Sequence, residues 1–313
     1  MPDYIVHKAV ELSALSSKVA AGLEAEQDWI ISPKYDGCHA VICFDSGKFI
    51  RAYSRSGETC YSLDHVAADL LRVYPDLSNG RWAICGEAWH PHKPFNEISG
   101  LFRKQKDVTT TLYFVPFDVV PWDYNDESTA GPVVVLNPRG CGPAYSKRLQ
   151  WLTSQVSVPY SSVAAVWSTH VRGTLSYAYA EAAKVAAHYK GLAETIGSHY
   201  DGAILANANG KYAVGSGKGG EFIKAKPLAS YSVQVAGHEA AVGEKTGKNT
   251  VALTFVLDGK LQRVSTGLTQ AQVDEIVAQP DSWVGQTIEV EAMGITSGGF
   301  LREPRFKGLR SDA

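Results

Sequence analysis

No two cysteines in this chain stand in a C-x-x-C pair, and the five present, Cys38, Cys43, Cys60, Cys85 and Cys141, are odd in number and scattered. That usage argues against a disulfide framework or a structural zinc centre and suits a reducing compartment. Apolar runs of membrane-spanning length are missing, and Met1-Pro2-Asp3-Tyr4 carries neither a basic flank nor an apolar signal segment. The expectation is a soluble cytoplasmic protein with no membrane partner, in the host cytosol if the source is viral. Internal repeats and low-complexity tracts are absent as well. Charge nearly cancels, 30 Lys and Arg against 32 Asp and Glu, so any nucleic-acid surface has to be built from local clusters. A P-loop is also lacking. Gly215-Ser216-Gly217-Lys218-Gly219-Gly220 has the glycines without the G-x-x-x-x-G-K-[ST] spacing, and no helical pattern follows it.

What is present is 313 residues with an ordinary apolar share, enough for one large or two medium domains. Apolar spacing predicts a helix within His7 to Glu26, through Ala9, Val10, Leu12, Leu15, Val19 and Leu23. A hairpin follows, with Ala40 to Phe44 and Phe49 to Tyr53 about a turn at Asp45 to Lys48. Helices are expected over Leu63 to Tyr74, Ser146 to Val156 and Ser176 to Tyr189, and strands over Trp82 to Trp89, Leu112 to Val120 and from Asp201 to Ala206. Asn96 to Val108 reads as a polar, basic segment, and the Gly, Pro and Asn content of Asp123 to Pro143 as a long surface loop. From about Ser230 short alternating strands take over, with one short helix, Ala271 to Ala278, capped by Thr269. That content in some 85 residues fits a small barrel of the OB type. The fold class is α+β, with a boundary between Pro227 and Ser230: residues 1–228 form one domain and 229–313 the other.

The candidate chemistry begins at Ser32-Pro33-Lys34-Tyr35-Asp36-Gly37-Cys38-His39, directly after the buried-strand run Trp29-Ile30-Ile31. A free lysine titrates near about 10.4 and is a weak nucleophile at neutral pH; burial or neighbouring cations activate it. Taken alone, this stretch equally describes a strand-end turn with a solvated lysine. Glu87 inside an apolar strand needs a partner, either a ligand hydroxyl or a structural arginine, and Asp118 poses the same question. Asp201, ahead of Gly202, could ligate Mg²⁺ or serve a turn. Lys224 and Lys226 share a strand face by period two, which favours an anion between them, although an edge strand also uses lysines to discourage pairing. The C-terminal run Leu301-Arg302-Glu303-Pro304-Arg305-Phe306-Lys307-Gly308-Leu309-Arg310 gathers cations around one aromatic and reads as a phosphate-binding surface or a basic tail.

The order K-x-D-G, S-R-x-G, G-E, F-D, D-G and K-x-K-P resembles the covalent nucleotidyltransferases, and within them the ATP-dependent DNA ligases of the small two-domain phage type. Phe95-Asn96-Glu97-Ile98-Ser99-Gly100-Leu101-Phe102-Arg103 and the run from Trp283 through Phe306 resemble the same ligases, so the likeness spans about Ile31 to Asp312. It implies a nucleotidyltransferase (adenylation) domain of antiparallel sheets flanked by helices, followed by an OB-fold β-barrel. It further implies that Lys34 attacks the α-phosphate of ATP, releases pyrophosphate and carries AMP to the 5′-phosphate of a nick in duplex DNA.

By the same resemblance Ser32, Pro33, Tyr35, His39, Arg55, Glu87, Phe117, Lys218, Lys224 and Lys226 surround the nucleotide, with Phe117 stacking on adenine and Glu87 binding the ribose. Asp201 and Glu87 would hold Mg²⁺ or Mn²⁺, and Arg302, Arg305 and Arg310 would orient pyrophosphate or touch DNA. The expected partner is nicked duplex DNA and the expected state a monomer. Three positions depart from the family pattern: His39 replaces an arginine, Asp201 a glutamate, and Ala313 a final lysine. Adenylation is expected to survive all three, with His39 lending it pH sensitivity near neutrality. Other readings remain open: an RNA ligase or capping-type nucleotidyltransferase, or an inactive nucleic-acid-binding OB-fold relative. An NAD-dependent ligase would need a nicotinamide-binding domain where 33 residues precede Lys34.

Overall fold

A computed structural model describes residues 6–104, 111–125, 133–136, 142–154, 162–196, 199–215, 217–243, 247–296 and 298–310. The chain divides into two compact units, Met1–Lys226 and Pro227–Ala313. In chain order the first contains β1 (Val10–Glu11), α1 (Ser17–Leu23), β2 (Gln27–Tyr35), β3 (Cys38–Asp45), β4 (Lys48–Ser54), α2 (Asp64–Val73), β5 (Arg81–Trp89), α3 (Phe95–Phe102), β6 (Tyr113–Asn125), β7 (Val133–Leu136), α4 (Tyr145–Ser154), β8 (Thr169–Gly173), α5 (Leu175–Ile196), β9 (Tyr200–Asn207) and β10 (Phe222–Ala225). The second contains β11 (Ala229–Val242), β12 (Asn249–Leu257), β13 (Lys260–Val264), α6 (Gln270–Ala278), β14 (Thr287–Ala292) and β15 (Arg305–Leu309). The fold is α+β, as the sequence predicts, with largely antiparallel sheets.

Two sheets build the first unit, ordered β1-β10-β9-β2-β8 and β4-β3-β5-β6-β7. In the first sheet, alternation sends Trp29, Ile31, Ala203, Leu205, Ile223 and Ala225 onto the alanine face of α5. The opposite side of the same strands carries Ile30, Ala206 and Phe222 against Tyr145 and Leu149 of α4. The second sheet packs Ala40, Ile42, Phe44 and Ile84 against Leu63, Val66 and Leu70 of the α2 region. Its other face collects Val41, Cys43, Ala83, Cys85 and Val120 around Tyr212, from the segment after β9. The chain crosses from one sheet to the other between β2 and β3, at Asp36 and Gly37.

Several segments depart from the sequence expectation. The single helix foreseen over His7 to Glu26 is instead β1, a short 3₁₀ turn and α1. The Ser16 side chain accepts from the Val19 N–H, so the helix starts there rather than ten residues earlier. The basic segment from Asn96 opens in α3, which buries Ile98 and Phe102 on one face. The expected loop over Asp123 to Pro143 holds the end of β6 and all of β7. Lys224 lies between β9 and β1 rather than on a sheet edge. In the second unit, the sheet runs β13-β12-β11-β14-β15, and Thr269 caps α6 through a reciprocal capping box with Gln272. No helix among the described residues is long and apolar enough to cross a membrane.

Candidate active site

Lys34 stands one residue from the end of β2, and the strand beside it is irregular there. Lys34 pairs with Gly202 while Tyr35 pairs with Tyr200, so Asp201 is the extra residue of a β-bulge on β9. A bulge re-aims the side chain of the residue it leaves over. Here the Asp201 carboxylate accepts a hydrogen bond from Lys34 Nζ and forms an ion pair with it. Lys226 Nζ lies 3.9 Å from the same oxygen. All three side chains are substantially withdrawn from water, with exposures of 24% for Lys34, 7% for Asp201 and 11% for Lys226. Gly202 adopts φ +120°, and a Cβ on it would sit 2.3 Å from the Ala225 carbonyl oxygen, so the D-G pair requires its glycine.

The cross-strand register carries the site across the sheet. Ser32 pairs with Ile204, which pairs with Lys224, so Ser32, Lys34 and Lys224 share the face opposite α5. Burial, followed by Lys226 and Lys34, lowers the pKa of Lys224, with Glu11 opposing. A cationic face with one central carboxylate suits a polyanionic ligand.

Beyond Lys34 the chain passes close over β5. A Cβ at Gly37 would lie 2.2 Å from the Ala88 carbonyl oxygen and 2.9 Å from Glu87 Cγ. Glu87 accepts a hydrogen bond from the Gly37 backbone, and no arginine ion pair to it is found among the described residues. Its carboxyl is pushed up to about 8, first by burial; Asp36 and Asp201 raise it further, while Lys34 and the Gly37 hydrogen bond pull it down. Glu87 is therefore largely protonated at neutral pH. His39 sits directly opposite Glu87 in the β3–β5 ladder. Burial, then the charges of Arg55, His7 and Lys34, lower the His39 pKa to about 3. The ring is thus neutral throughout the physiological range, which removes the expectation that it titrates near neutrality. Its Nε2 is buried and has no hydrogen-bond partner.

Phe117 meets the His39 ring edge-on at 5.1 Å. It too is a bulge residue, because Cys85 pairs with Asp118 while Gly86 pairs with Pro116. Gly86, beside this bulge, makes room for Phe114, since a Cβ there would lie 2.4 Å from the Phe114 ring. Asp118, one residue on, is answered by Arg148 of α4, whose Nε and Nη2 donate at 2.6 and 3.1 Å. Both side chains are 2% exposed, so this carboxylate is structural. Sequence reasoning missed Arg148 as the partner; the signal was a carboxylate in an apolar strand and an arginine opening a helix. It also missed His7, which accepts from the Ala213 N–H, packs edge-on against Tyr212 and Phe222, and lies 3.6 Å from Glu221.

Other expected residues sit apart from this cluster. Tyr35 packs with Trp89 and Tyr200, at 5.0 and 5.4 Å, in an aromatic group of its own. Pro33 is buried opposite Ala203. Arg55 occupies the exposed turn after β4 and acts on His39 and Cys38 through its charge. Lys218 is exposed in a turn whose Gly217 packs on the Lys8 carbonyl. In the second unit, Arg305 opens β15, Arg302 precedes it, and Arg310 donates to the Ser232 hydroxyl. Residues 311–313, with the departure at Ala313, lie outside the described residues. No group of three or more His, Cys, Asp or Glu able to hold a metal occurs among the described residues. Asp201 and Glu87 are close enough for one to shift the other, which fits a cation taking one or two carboxylates and completing its shell on phosphate oxygens.

No protein-family model and no curated protein sequence matches this chain. Solved structures do match in three dimensions. Two, described as Pmar-Lig_PreS3 and Pmar-Lig_Pre., superpose with TM-scores of 0.68 and 0.69 at 18% and 16% identity, each covering 99% of this chain and 68% of the other. A third, from work on "Lig E DNA ligases" described as binding DNA with a minimal scaffold, has a TM-score of 0.61 at 16% identity and covers 97% of this chain and 99% of its own. The chain shares its fold with these proteins along nearly its whole length.

Proposed function

We propose that this protein is an ATP-dependent DNA ligase that seals 5′-phosphate/3′-hydroxyl nicks in duplex DNA. The observation that carries the reading is the Lys34–Asp201–Lys226 cluster, held by a bulge at the end of β2 within a ligase-like fold. In the first step the unprotonated Lys34 Nζ attacks the α-phosphorus of ATP. A P–N bond forms, the bond between the α-phosphorus and its bridging oxygen breaks, and pyrophosphate leaves. The proton that Lys34 sheds has an acceptor in contact, the Asp201 carboxylate. Lys224 and Lys226 offset charge on the phosphate, and preorganised charge of this kind is the main contribution a protein makes to phosphoryl transfer.

Phe117 offers a face for adenine, while neutral Glu87 and His39 present a donor and a ring nitrogen to the sugar. Asp201, and Glu87 once cation binding displaces its proton, would hold Mg²⁺ or Mn²⁺, which would supply further charge neutralisation at the phosphates. AMP then passes to the 5′-phosphate of the nick, and the 3′-hydroxyl displaces it.

Residues 1–228 act in this reading as the adenylation domain and 229–313 as an OB barrel. The order β13-β12-β11-β14-β15 supports the barrel, as does a parallel bridge between Thr266, just past β13, and Arg305 of β15. The Phe306 N–H donates to the Thr266 carbonyl at 2.8 Å, and α6 lies between the third and fourth strands of this unit. Arg302, Arg305 and Arg310 belong to this unit as pyrophosphate- or DNA-facing cations. The enzyme works as a soluble cytoplasmic monomer.

The test is a sealing assay with ATP or GTP on a nicked DNA duplex and on single-stranded RNA. The proposal expects ATP-dependent sealing of the nick; sealing confined to RNA, or transfer of GMP, would replace it with the RNA ligase or capping reading.

A further inference from the structure

A face that receives phosphates repels them wherever it carries a carboxylate, yet Glu11 stands on that face. Its placement follows from β1, in a stretch where the apolar spacing suggests a helix. His7 fixes the approach: its N–H donates to Tyr212 Oη at 3.0 Å and its Nδ1 accepts from the Ala213 N–H at 3.1 Å. The Lys8 N–H then donates to the Gly215 carbonyl at 3.1 Å. β1 enters parallel to β10, pairing Val10 with Ile223 and Glu11 with Lys224. Ile223 faces α5, so the next pair faces the other way, and Ala9 packs on that side with Ile30, Ala206 and Phe222. Across four strands the row on this face reads Ser32, Ile204, Lys224, Glu11. Adjacent positions in such a row are about 4.8 Å apart, which makes the Glu11 and Lys224 side chains direct neighbours. Both are half-buried.

A lysine in that position is under pressure to lose its proton. Burial comes first, then Lys226 and Lys34, with Lys8 adding to them, and Glu11 opposes all four. The other carboxylates nearby are engaged elsewhere: Asp201 by Lys34 and Lys226, and Glu221, just ahead of β10, by His7 at 3.6 Å. A neutral Lys224 would offer the phosphates an amine in place of positive charge, and charge is what phosphoryl transfer needs from it. We propose that Glu11 is a positioning residue for nucleotide binding, one that keeps Lys224 an ammonium for the phosphates of ATP while weakly repelling those phosphates itself. This rests on the ligase reading of the Lys34 cluster and deepens it. Charged residues in short edge strands also discourage sheet extension, but that role is indifferent to whether Lys224 is charged.

The full-length protein, Glu11→Gln and Glu11→Asp are titrated between pH 6 and pH 9.5 with the α,β-methylene analogue of ATP, from which Lys34 cannot take AMP. At pH 6 an ammonium is expected at Lys224 in every form. Glu11→Gln, freed of the repelling carboxylate, should there bind the analogue at least as tightly as wild type. Near pH 9.5 it should bind severalfold more weakly, so that the two affinity curves cross. Glu11→Asp keeps the charge and should follow wild type. Without any nucleotide, trace acetylation with acetic anhydride, located by peptide mass spectrometry, reads the free-amine fraction of Lys224 directly. Glu11→Gln should become reactive there at lower pH than wild type. This arm separates the two claims: a shifted Lys224 profile in a protein that takes up no AMP from ATP means that the ligase reading has failed while the Glu11–Lys224 coupling stands. An affinity ratio that stays constant across the pH range would reduce Glu11 to an edge-strand charge and overturn the proposal. So would a Lys224 acetylation profile that Glu11→Gln leaves unmoved.

Discussion

At the scale of single residues, most of the site's behaviour follows from which groups are denied water. Glu87 provides the cleanest test. Its carboxyl, ordinarily near 4.5, is raised to about 8, so the folded protein keeps a proton that the unfolded chain releases. The stability contributed by that proton is complete below 4.5 and is lost as pH rises toward 8. Glu87→Gln stays neutral and lacks this dependence. Relative to wild type, its melting temperature without nucleotide should rise by a few degrees between pH 5 and pH 8; parallel curves for the two proteins would show that Glu87 is ionised throughout. His39 teaches the complementary lesson. Its residue type suggests a switch near neutrality, yet burial beside Arg55, His7 and Lys34 holds it uncharged, and no alternation pattern announces those surroundings.

At the scale of elements, the strand ends position the chemistry, and their irregularities were the least legible part. Alternation and turn residues were enough to read β3, β4, β5 and β9, and Thr269 marked the start of α6. The motif glycines were legible as punctuation, but not their reason: Gly37 and Gly202 make room for the backbone of a neighbouring strand, and Gly86 for the Phe114 ring. The bulges that single out Asp201 and Phe117 have no composition signal, because they depend on the neighbouring strand. The amino-terminal segment misled for a related reason, since Val10 and Leu12 satisfy a helical period while β1 pairs Val10 and Glu11 to a strand more than two hundred residues away.

Element packing also carries a prediction at the Arg148–Asp118 pair, which ties α4 to β6. Removing the arginine alone, as Arg148→Met, leaves a buried carboxylate and should cost about 3–5 kcal/mol in denaturant unfolding. The double variant Arg148→Met with Asp118→Asn should recover much of that loss. A single variant as stable as wild type would mean that the pair adds nothing to the fold.

For the whole molecule, a net charge of −2 means that DNA affinity has to come from a few placed cations. Binding of nicked duplex should weaken with salt, and Arg302→Ala should lower the slope of log K against log salt by about 1, for any DNA sequence. An unchanged slope would remove Arg302 from the DNA surface.

The central claim is that Lys34 is the residue that carries AMP, and one measurement addresses it. Wild type and Lys34→Ala are incubated with α-labelled ATP and Mg²⁺, and the labelled protein is digested and mapped. The account predicts label on the wild-type peptide containing Lys34, stable to alkali and released by acid as a phosphoramidate should be, and none on Lys34→Ala. A wild type that takes up no label, or a Lys34→Ala protein labelled to the same extent, would contradict it.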